Sequence, residues 1–144
     1  MKVAICGSVN FAEKIKQIEN NLRIMGHEPV LPKSIIEHAL RNADDAEKLK
    51  EREDYILSIK PRYTQEHFNE IKNSDAILVV NMDKKGIKNY IGGATFAEIM
   101  LAFHYKKKIF FLNPIPTDGK LSPYLDELKA VKPFVINGNL GLVK

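Results

Sequence analysis

The sequence predicts an α/β protein in which a doubly wound, five-stranded parallel sheet forms a single domain spanning 1–144. Short apolar runs alternate along the chain with stretches of helical periodicity, which is the pattern of repeated strand–helix units. One run, Ala76–Val80, is continuously apolar and mostly β-branched, as expected for a central strand buried on both faces. With 144 residues and 44% hydrophobic content, the chain suits one core and is short for two domains.

The first strand is predicted at 2–6, and a turn at 7–10 leads into the first helix. Asn10 is the predicted N-cap of this helix, and Gly26 is its predicted stop. Free amides at the turn could bind a phosphate. Glycine is equally typical of a tight turn that has no ligand.

A second strand is predicted at 27–31. The next segment, 34–60, is highly charged and rich in helix formers, and Ser34 and Glu37 have the spacing of a capping box. Its apolar stripe fades after Asp44, so we expect a helix that lies partly free of the core. It would be a cover over the site, a dimer contact or a solvated surface helix.

Pro61 is expected to break this helix, and a further helix is predicted at 62–73. After the central strand come a polar loop and a helix at 96–105, which ends in a lysine run at 106–108. Positive charge suits a helix C-terminus, and the lack of interleaved aromatic residues argues against a nucleic-acid patch.

Strands at 109–112 and 134–136 complete the predicted sheet. The helix between them is predicted to begin near Pro123, because proline is tolerated in the first turn.

Composition narrows the function classes. The 22 basic and 18 acidic residues give a net charge of +4, and the basic residues are scattered, whereas nucleic-acid binding favours a basic stripe. One cysteine excludes an internal disulfide, and the four histidines show no zinc-ligand spacing. We find no signal-peptide pattern or membrane-spanning run. We therefore expect a cytoplasmic protein without a nucleic-acid or membrane partner.

Three loops, at 7–10, 81–95 and 113–116, follow predicted parallel strands and should form a ligand crevice. Gly92 and Gly93 would let a ligand approach the backbone. Glu98 lies about one turn into the helix beyond them. A carboxylate there can attack a sugar carbon, because the glycosidic transition state resembles an oxocarbenium ion. The structural alternative is that Thr95 and Glu98 form a capping box.

Three motifs carry a resemblance to a known family: CGS at 6–8, SDAILVV at 74–80 and GGATFAE at 92–98. Together they resemble the nucleoside 2-deoxyribosyltransferase superfamily, which includes the 2′-deoxynucleoside 5′-monophosphate N-glycosidases. The resemblance covers roughly 2–116. It implies a flavodoxin-like fold, a homodimer or higher homo-oligomer with sites near subunit contacts, no metal or organic cofactor, and Glu98 as the nucleophile.

The chain departs from that family at accessory positions. An aspartate of the family is replaced by His67, a carboxylate that protonates the leaving base is replaced by Gly92, and a first-strand tyrosine is replaced by Ala4. His67, Asp83 or Tyr90 could substitute. His67 is preferred because an ordinary histidine pKa near 6.5 suits proton transfer, although a partly buried helix histidine is the plain alternative.

The sequence thus predicts cleavage or transfer of the N-glycosidic bond of a (deoxy)nucleoside or nucleoside 5′-monophosphate. Candidate catalytic residues are Glu98, His67 and Tyr90. Candidate substrate-binding residues are Cys6, Gly7, Ser8, Asn10, Asn81, Asp83, Gly92, Gly93, Thr95 and Asn113.

Two alternatives stay open. The 92–98 motif faintly resembles the glycine-rich signature of the cytokinin-activating phosphoribohydrolases. The missing accessory acids would also fit a catalytically inactive nucleotide-binding or regulatory module.

Overall fold

A five-stranded, all-parallel sheet forms the centre of the computed structural model, which describes residues 1–39 and 43–144. Its strands are β1 (Lys2–Gly7), β2 (Glu28–Val30), β3 (Ala76–Val80), β4 (Lys108–Phe111) and β5 (Phe134–Val135). They are arranged in the order β2-β1-β3-β4-β5. This order confirms the predicted flavodoxin-like class, in which ligands bind beyond the carboxyl ends of the strands.

Helices cover both faces of the sheet, as in a doubly wound fold. They are α1 (Ala12–Ile24), α2 (Ala43–Lys50), α3 (Lys60–Lys72), α4 (Gly93–His104) and α5 (Leu125–Ala130). Helix α1 packs in the core on one face, whereas α3, α4 and α5 pack in the core on the other face. Within the described residues, no helix combines the length and apolarity needed to cross a bilayer.

Strand β3 contributes to both cores. Ala76, Leu78 and Val80 face α1, and Ile77 and Val79 face the opposite core. All five residues are buried, which confirms the prediction of a strand covered on both sides. Its pairing with β1 and β4 fixes the edge of the sheet at which the loops after these strands meet.

The start of the first helix differs from the prediction. Ser8, not Asn10, supplies the cap: its Oγ accepts a hydrogen bond from the Asn10 backbone N–H across a single 3₁₀ turn, Val9–Phe11, that precedes α1. The Ser8 hydroxyl therefore satisfies the Asn10 backbone N–H, one of the amides at the start of a helix that have no partner within the helix. The predicted stop is confirmed, because Gly26 has a φ of 87°, where glycine carries no steric penalty.

The segment 34–60 is not one helix. It contains a π-helical turn (Ile35–Ala39), then α2, a break at 51–52, and a second π-helical turn (Tyr55–Ile59) that runs into α3; residues 40–42 of the prediction lie outside the described part. Of the side chains described in this segment, Ile35 and Tyr55 are buried. Among the side chains described in this segment, few are apolar anchors, which matches its division into short helical pieces.

Two prolines lie differently from the prediction. Pro61 does not separate two helices but occupies the first turn of α3, directly after the π-helical turn that runs into it. Pro123 lies inside a 3₁₀ segment (Gly119–Tyr124) that precedes α5.

Helix α4 begins three residues earlier than predicted, and this removes the capping alternative for Glu98. Gly92 is the N-cap, and its carbonyl accepts a hydrogen bond from the Phe96 N–H at 2.9 Å. Thr95 is therefore inside the first turn and Glu98 is in the second. The capping-box interpretation is wrong, so Glu98 needs another explanation.

A reciprocal pair of asparagines joins the loops that follow β3 and β4. Asn81 Nδ2 donates to the carbonyls of Asn113 and Pro114, and Asn81 Oδ1 accepts from the Asn113 N–H, each at 2.9 Å. Asn113 Nδ2 donates back to the Asn81 carbonyl at 2.9 Å. Asn81 is fully buried, so this clamp fixes the edge of the sheet beside the site.

We expect Asn81→Ala to lower the free energy of unfolding by about 2–5 kcal/mol, because it empties a fully buried position and leaves three partly buried backbone groups without partners. Urea unfolding monitored by circular dichroism measures this. The matched control is Asn10→Ala at an exposed position, for which a change within about 0.5 kcal/mol is expected. Equal, small losses in both variants would contradict a structural clamp.

Candidate active site

A cavity of about 330 Å³ lies beyond the carboxyl ends of β1 and β3. Gly7 and Ser8 line it from the turn after β1, and the first turn of α4 lines it with Gly92, Gly93 and Thr95. Parallel strand ends and the N-terminus of α4 therefore converge on one space. Its volume lies in the range of small-molecule sites.

Glu98 lies on the wall of this cavity. The residue is half-buried, and its Oε2 is buried without a hydrogen-bond partner in the described structure. Burial raises the pKa of the carboxyl group to about 7, although a hydrogen bond from Cys6 and the charge of Lys50 act in the opposite direction. An unsatisfied, desolvated carboxylate costs free energy, and such groups are concentrated at functional sites.

His67 reaches the same place from α3. It is 4% exposed, and burial lowers its pKa to about 4, against the opposing effects of the Glu70 charge and the Ile5 backbone. The ring is thus neutral at pH 7. The preference for His67 as a proton donor assumed an ordinary pKa, and burial removes that basis.

Cys6 joins these two groups behind the cavity wall. Its Sγ lies 3.7 Å from His67 Nε2, and one ligand atom from each of Cys6, His67 and Glu98 lies within 4.8 Å of the others. Burial raises the pKa of the thiol well above its usual value, and the Glu98 carboxyl group adds to that shift. At neutral pH the thiol is protonated and can donate to the carboxylate.

A lysine that the sequence analysis did not single out, Lys84, also lines the cavity. Lys84 Nζ donates to Ser8 Oγ at 2.9 Å and lies 5.2 Å from the centre of the Tyr90 ring. The first turn of α4 lines the same cavity, and the amides of a helix N-terminus carry partial positive charge. Lys84 and these amides make the cavity suited to an anion.

The segment after β2 covers the cavity. Lys50, Tyr55 and Lys60 line it from 34–60, and Tyr63 and Thr64 line it from α3. Tyr63 donates a hydrogen bond to Glu37, which ties the beginning of the segment to α3. Among the alternatives predicted for this segment, a cover over the site matches its position. Its lysines resembled those of any solvated helix, so no sequence signal marked them as cavity residues.

Four other predicted binding residues lie away from the cavity wall. Asn81 and Asn113 form the clamp, and Asn10 is exposed beside Ser8. Asp83 accepts a hydrogen bond from the Asn89 N–H at 3.0 Å and so shapes the loop that carries Lys84. These four residues therefore shape the loops around the site and do not line the cavity.

Comparison of the chain with protein-family models, with curated proteins and with solved structures finds no match. The function is therefore inferred from the site itself.

We expect Glu98→Gln to change how stability depends on pH. The folded-state pKa of about 7 exceeds the ordinary 4.5, so the folded state binds the proton more tightly, and stability falls as pH rises from about 4.5 to 7. Glutamine carries no titrating proton. The variant should therefore gain stability relative to the native protein over this window, by up to about 3 kcal/mol.

Urea unfolding at pH 5 and pH 8 measures this difference. The buffer contains a chelator, so that no trace metal ion binds the carboxylate. The control is Glu13→Gln, at an exposed position of α1. The contrary result is that the free energies of unfolding of Glu98→Gln and the native protein differ by the same amount at both pH values. That result would show that the Glu98 carboxyl group is not desolvated.

Proposed function

We propose that this protein cleaves or transfers the N-glycosidic bond of a (deoxy)nucleoside or nucleoside 5′-monophosphate, with Glu98 as the nucleophile. The observation that carries the proposal is a buried carboxylate with an unpartnered oxygen on the wall of a cavity at the carboxyl edge of a parallel sheet. The resemblance of the three motifs to the nucleoside 2-deoxyribosyltransferase superfamily points to the same residue.

The environment of Glu98 suits this chemistry. As the bond to the base breaks, positive charge develops on the sugar, and a carboxylate held away from water stabilises it strongly. Attack then gives a glycosyl-enzyme, which water or an acceptor base resolves. The cover formed by 34–60 would limit the access of water to that intermediate.

Tyr90 is the residue we assign to protonation of the leaving base. It lines the cavity, and a Cβ atom built on Gly92 would lie 3.1 Å from its hydroxyl oxygen. The tyrosine hydroxyl thus occupies space where a side chain at position 92 would begin. In the transferases that the chain resembles, that position holds the carboxylate which protonates the base. His67, which is neutral at pH 7, would pack beside Glu98 and would not transfer the proton.

The positively charged groups that line the cavity favour the monophosphate among the candidate substrates. Lys84 with Ser8 and the start of α4 would hold the 5′-phosphate through charge-assisted hydrogen bonds. Lys60 adds positive charge on the covering segment.

The direct test incubates the protein with a panel of nucleosides and their 5′-monophosphates, with and without an acceptor base, and measures released base by chromatography. We expect Glu98→Gln to lower base release by at least about a thousandfold, because the nucleophile is lost. The exposed Glu13→Gln variant should keep full activity. Undiminished turnover in Glu98→Gln would end this mechanism, and calorimetric binding without base release by the native protein would favour the nucleotide-binding module.

We expect Lys84→Met to raise KM for the monophosphate by about tenfold to a hundredfold, the loss typical of a hydrogen bond to a charged group. The matching nucleoside lacks the phosphate, so its KM should change less than about twofold, which corresponds to a change in binding free energy of well under about 1 kcal/mol. Lys88→Met is the control, since Lys88 is exposed on the same loop. Equal losses for both substrates would place the phosphate elsewhere.

A further inference from the structure

We infer that Cys6, His67 and Glu98 form a binding site for a divalent transition-metal ion, with zinc preferred. This site goes beyond the proposed function and does not rest on it. The three side chains come from β1, α3 and α4, and one ligand atom from each lies within 4.8 Å of the other two.

The spacing of the first two donors suits tetrahedral zinc. Zinc binds sulfur at about 2.3 Å and imidazole nitrogen at about 2.0–2.1 Å, so tetrahedral geometry separates these donors by about 3.6 Å. Cys6 Sγ and His67 Nε2 are 3.7 Å apart. These two donors need almost no movement to bind one ion, and the Glu98 carboxylate, which has an oxygen within 4.8 Å of both donor atoms, supplies the third ligand.

Burial supplies an independent reason to expect a ligand. Cys6 and His67 are 0% and 4% exposed, and Glu98 Oε2 and His67 Nδ1 are buried without hydrogen-bond partners in the described structure. Buried polar atoms are normally satisfied by protein groups, water or an ion. A cation bound between the three residues would satisfy the carboxylate oxygen that the protein leaves unpaired.

The donor set selects the class of ion. A thiolate and an imidazole prefer zinc and other later first-row metals to magnesium or calcium, which take oxygen ligands. Binding releases the thiol proton of Cys6 to solvent, and the resulting thiolate and the Glu98 carboxylate balance the two positive charges of the ion. Three protein ligands leave a fourth position, and His67 and Glu98 place it towards the cavity that they line, where water or a small ligand can bind.

The site arises where the chain departs from the family that it resembles. The family carries an aspartate at the position of His67, and this substitution is what sets an imidazole beside Cys6 and Glu98. Because a carboxylate that binds an ion cannot attack a sugar, metal binding and glycosyl transfer would compete for Glu98.

Titration of the full chain with Co²⁺ under reducing conditions tests the site without reference to activity. We expect one ion per chain, a near-ultraviolet thiolate-to-cobalt charge-transfer band and the intense visible bands of tetrahedral Co²⁺. Zinc should displace the cobalt and abolish these bands. Cys6→Ser should remove the charge-transfer band.

Competition of zinc with a chromophoric chelator gives the affinity of each variant. His67→Ala and Glu98→Gln should each weaken zinc binding at least about tenfold, because losing a ligand should cost no less than the roughly tenfold to hundredfold typical of losing a hydrogen-bond partner of a ligand. Circular dichroism reports whether each variant folds. Because glutamine keeps the volume of Glu98, this variant remains informative if His67→Ala unfolds.

His104→Ala, at an exposed position of α4, is the control and should bind as the native protein does. The absence of the cobalt bands, or zinc affinity unchanged in Cys6→Ser and Glu98→Gln, would overturn the proposal. If the bands appear but no base is released from any substrate, the metal site stands and the glycosidic function fails.

Discussion

The burial of β3 on both faces is the constraint on which the rest of this structure depends. Because all five of its residues are covered, the strand must be central, and its parallel partners β1 and β4 must end at the same edge. The turn after β1 and the start of α4 are thereby brought together. The Asn81 and Asn113 clamp then fixes the loops at that edge, so the cavity has a rigid base beneath a covering segment with few apolar anchors.

That rigid base holds an arrangement that is costly in isolation. A thiol, an imidazole and a carboxyl group share a water-poor space. Burial shifts the pKa of each group in the direction that favours its neutral form. A stable core can carry such a cost, but packing alone does not explain why these residue types lie there. Apolar side chains of similar volume would fill the same space without the desolvation penalty. The cost is intelligible if the carboxylate meets a ligand.

The sequence predicted the fold well because its strongest signals were local. A continuous apolar strand and a positive-φ glycine after a helix each follow from a few neighbouring residues, as Ala76–Val80 and Gly26 illustrate. The exact helix starts were not predictable in the same way. Ser8 and Asn10 are both good caps, and tertiary packing decided between them. Likewise, a capping box at Thr95 was a sound local pattern until Gly92 began the helix earlier.

The candidate site was only partly predictable, since its contacts join distant parts of the chain. Glu98 and its glycines could be found because they lie within one motif. The approach of His67 to Cys6 could not, because 61 positions separate them and no ligand spacing is visible along the sequence. The role of Lys84 could not be predicted for a similar reason, because it depends on the position of Ser8 on a different loop.

Glu98 is therefore the point at which two kinds of chemistry meet. Behind it lie soft donors, Cys6 and His67, and on the cavity side lie Lys84, Tyr90 and the start of α4. A carboxylate that faces the cavity is placed to stabilise positive charge on a sugar, whereas the same carboxylate turned towards Cys6 is placed to bind a cation. Under the two proposals, a bound metal ion would hold the carboxylate in the second role and withdraw it from the first. A nucleotide in the cavity and a metal ion at Cys6 and His67 would therefore, under these proposals, compete for a single carboxylate.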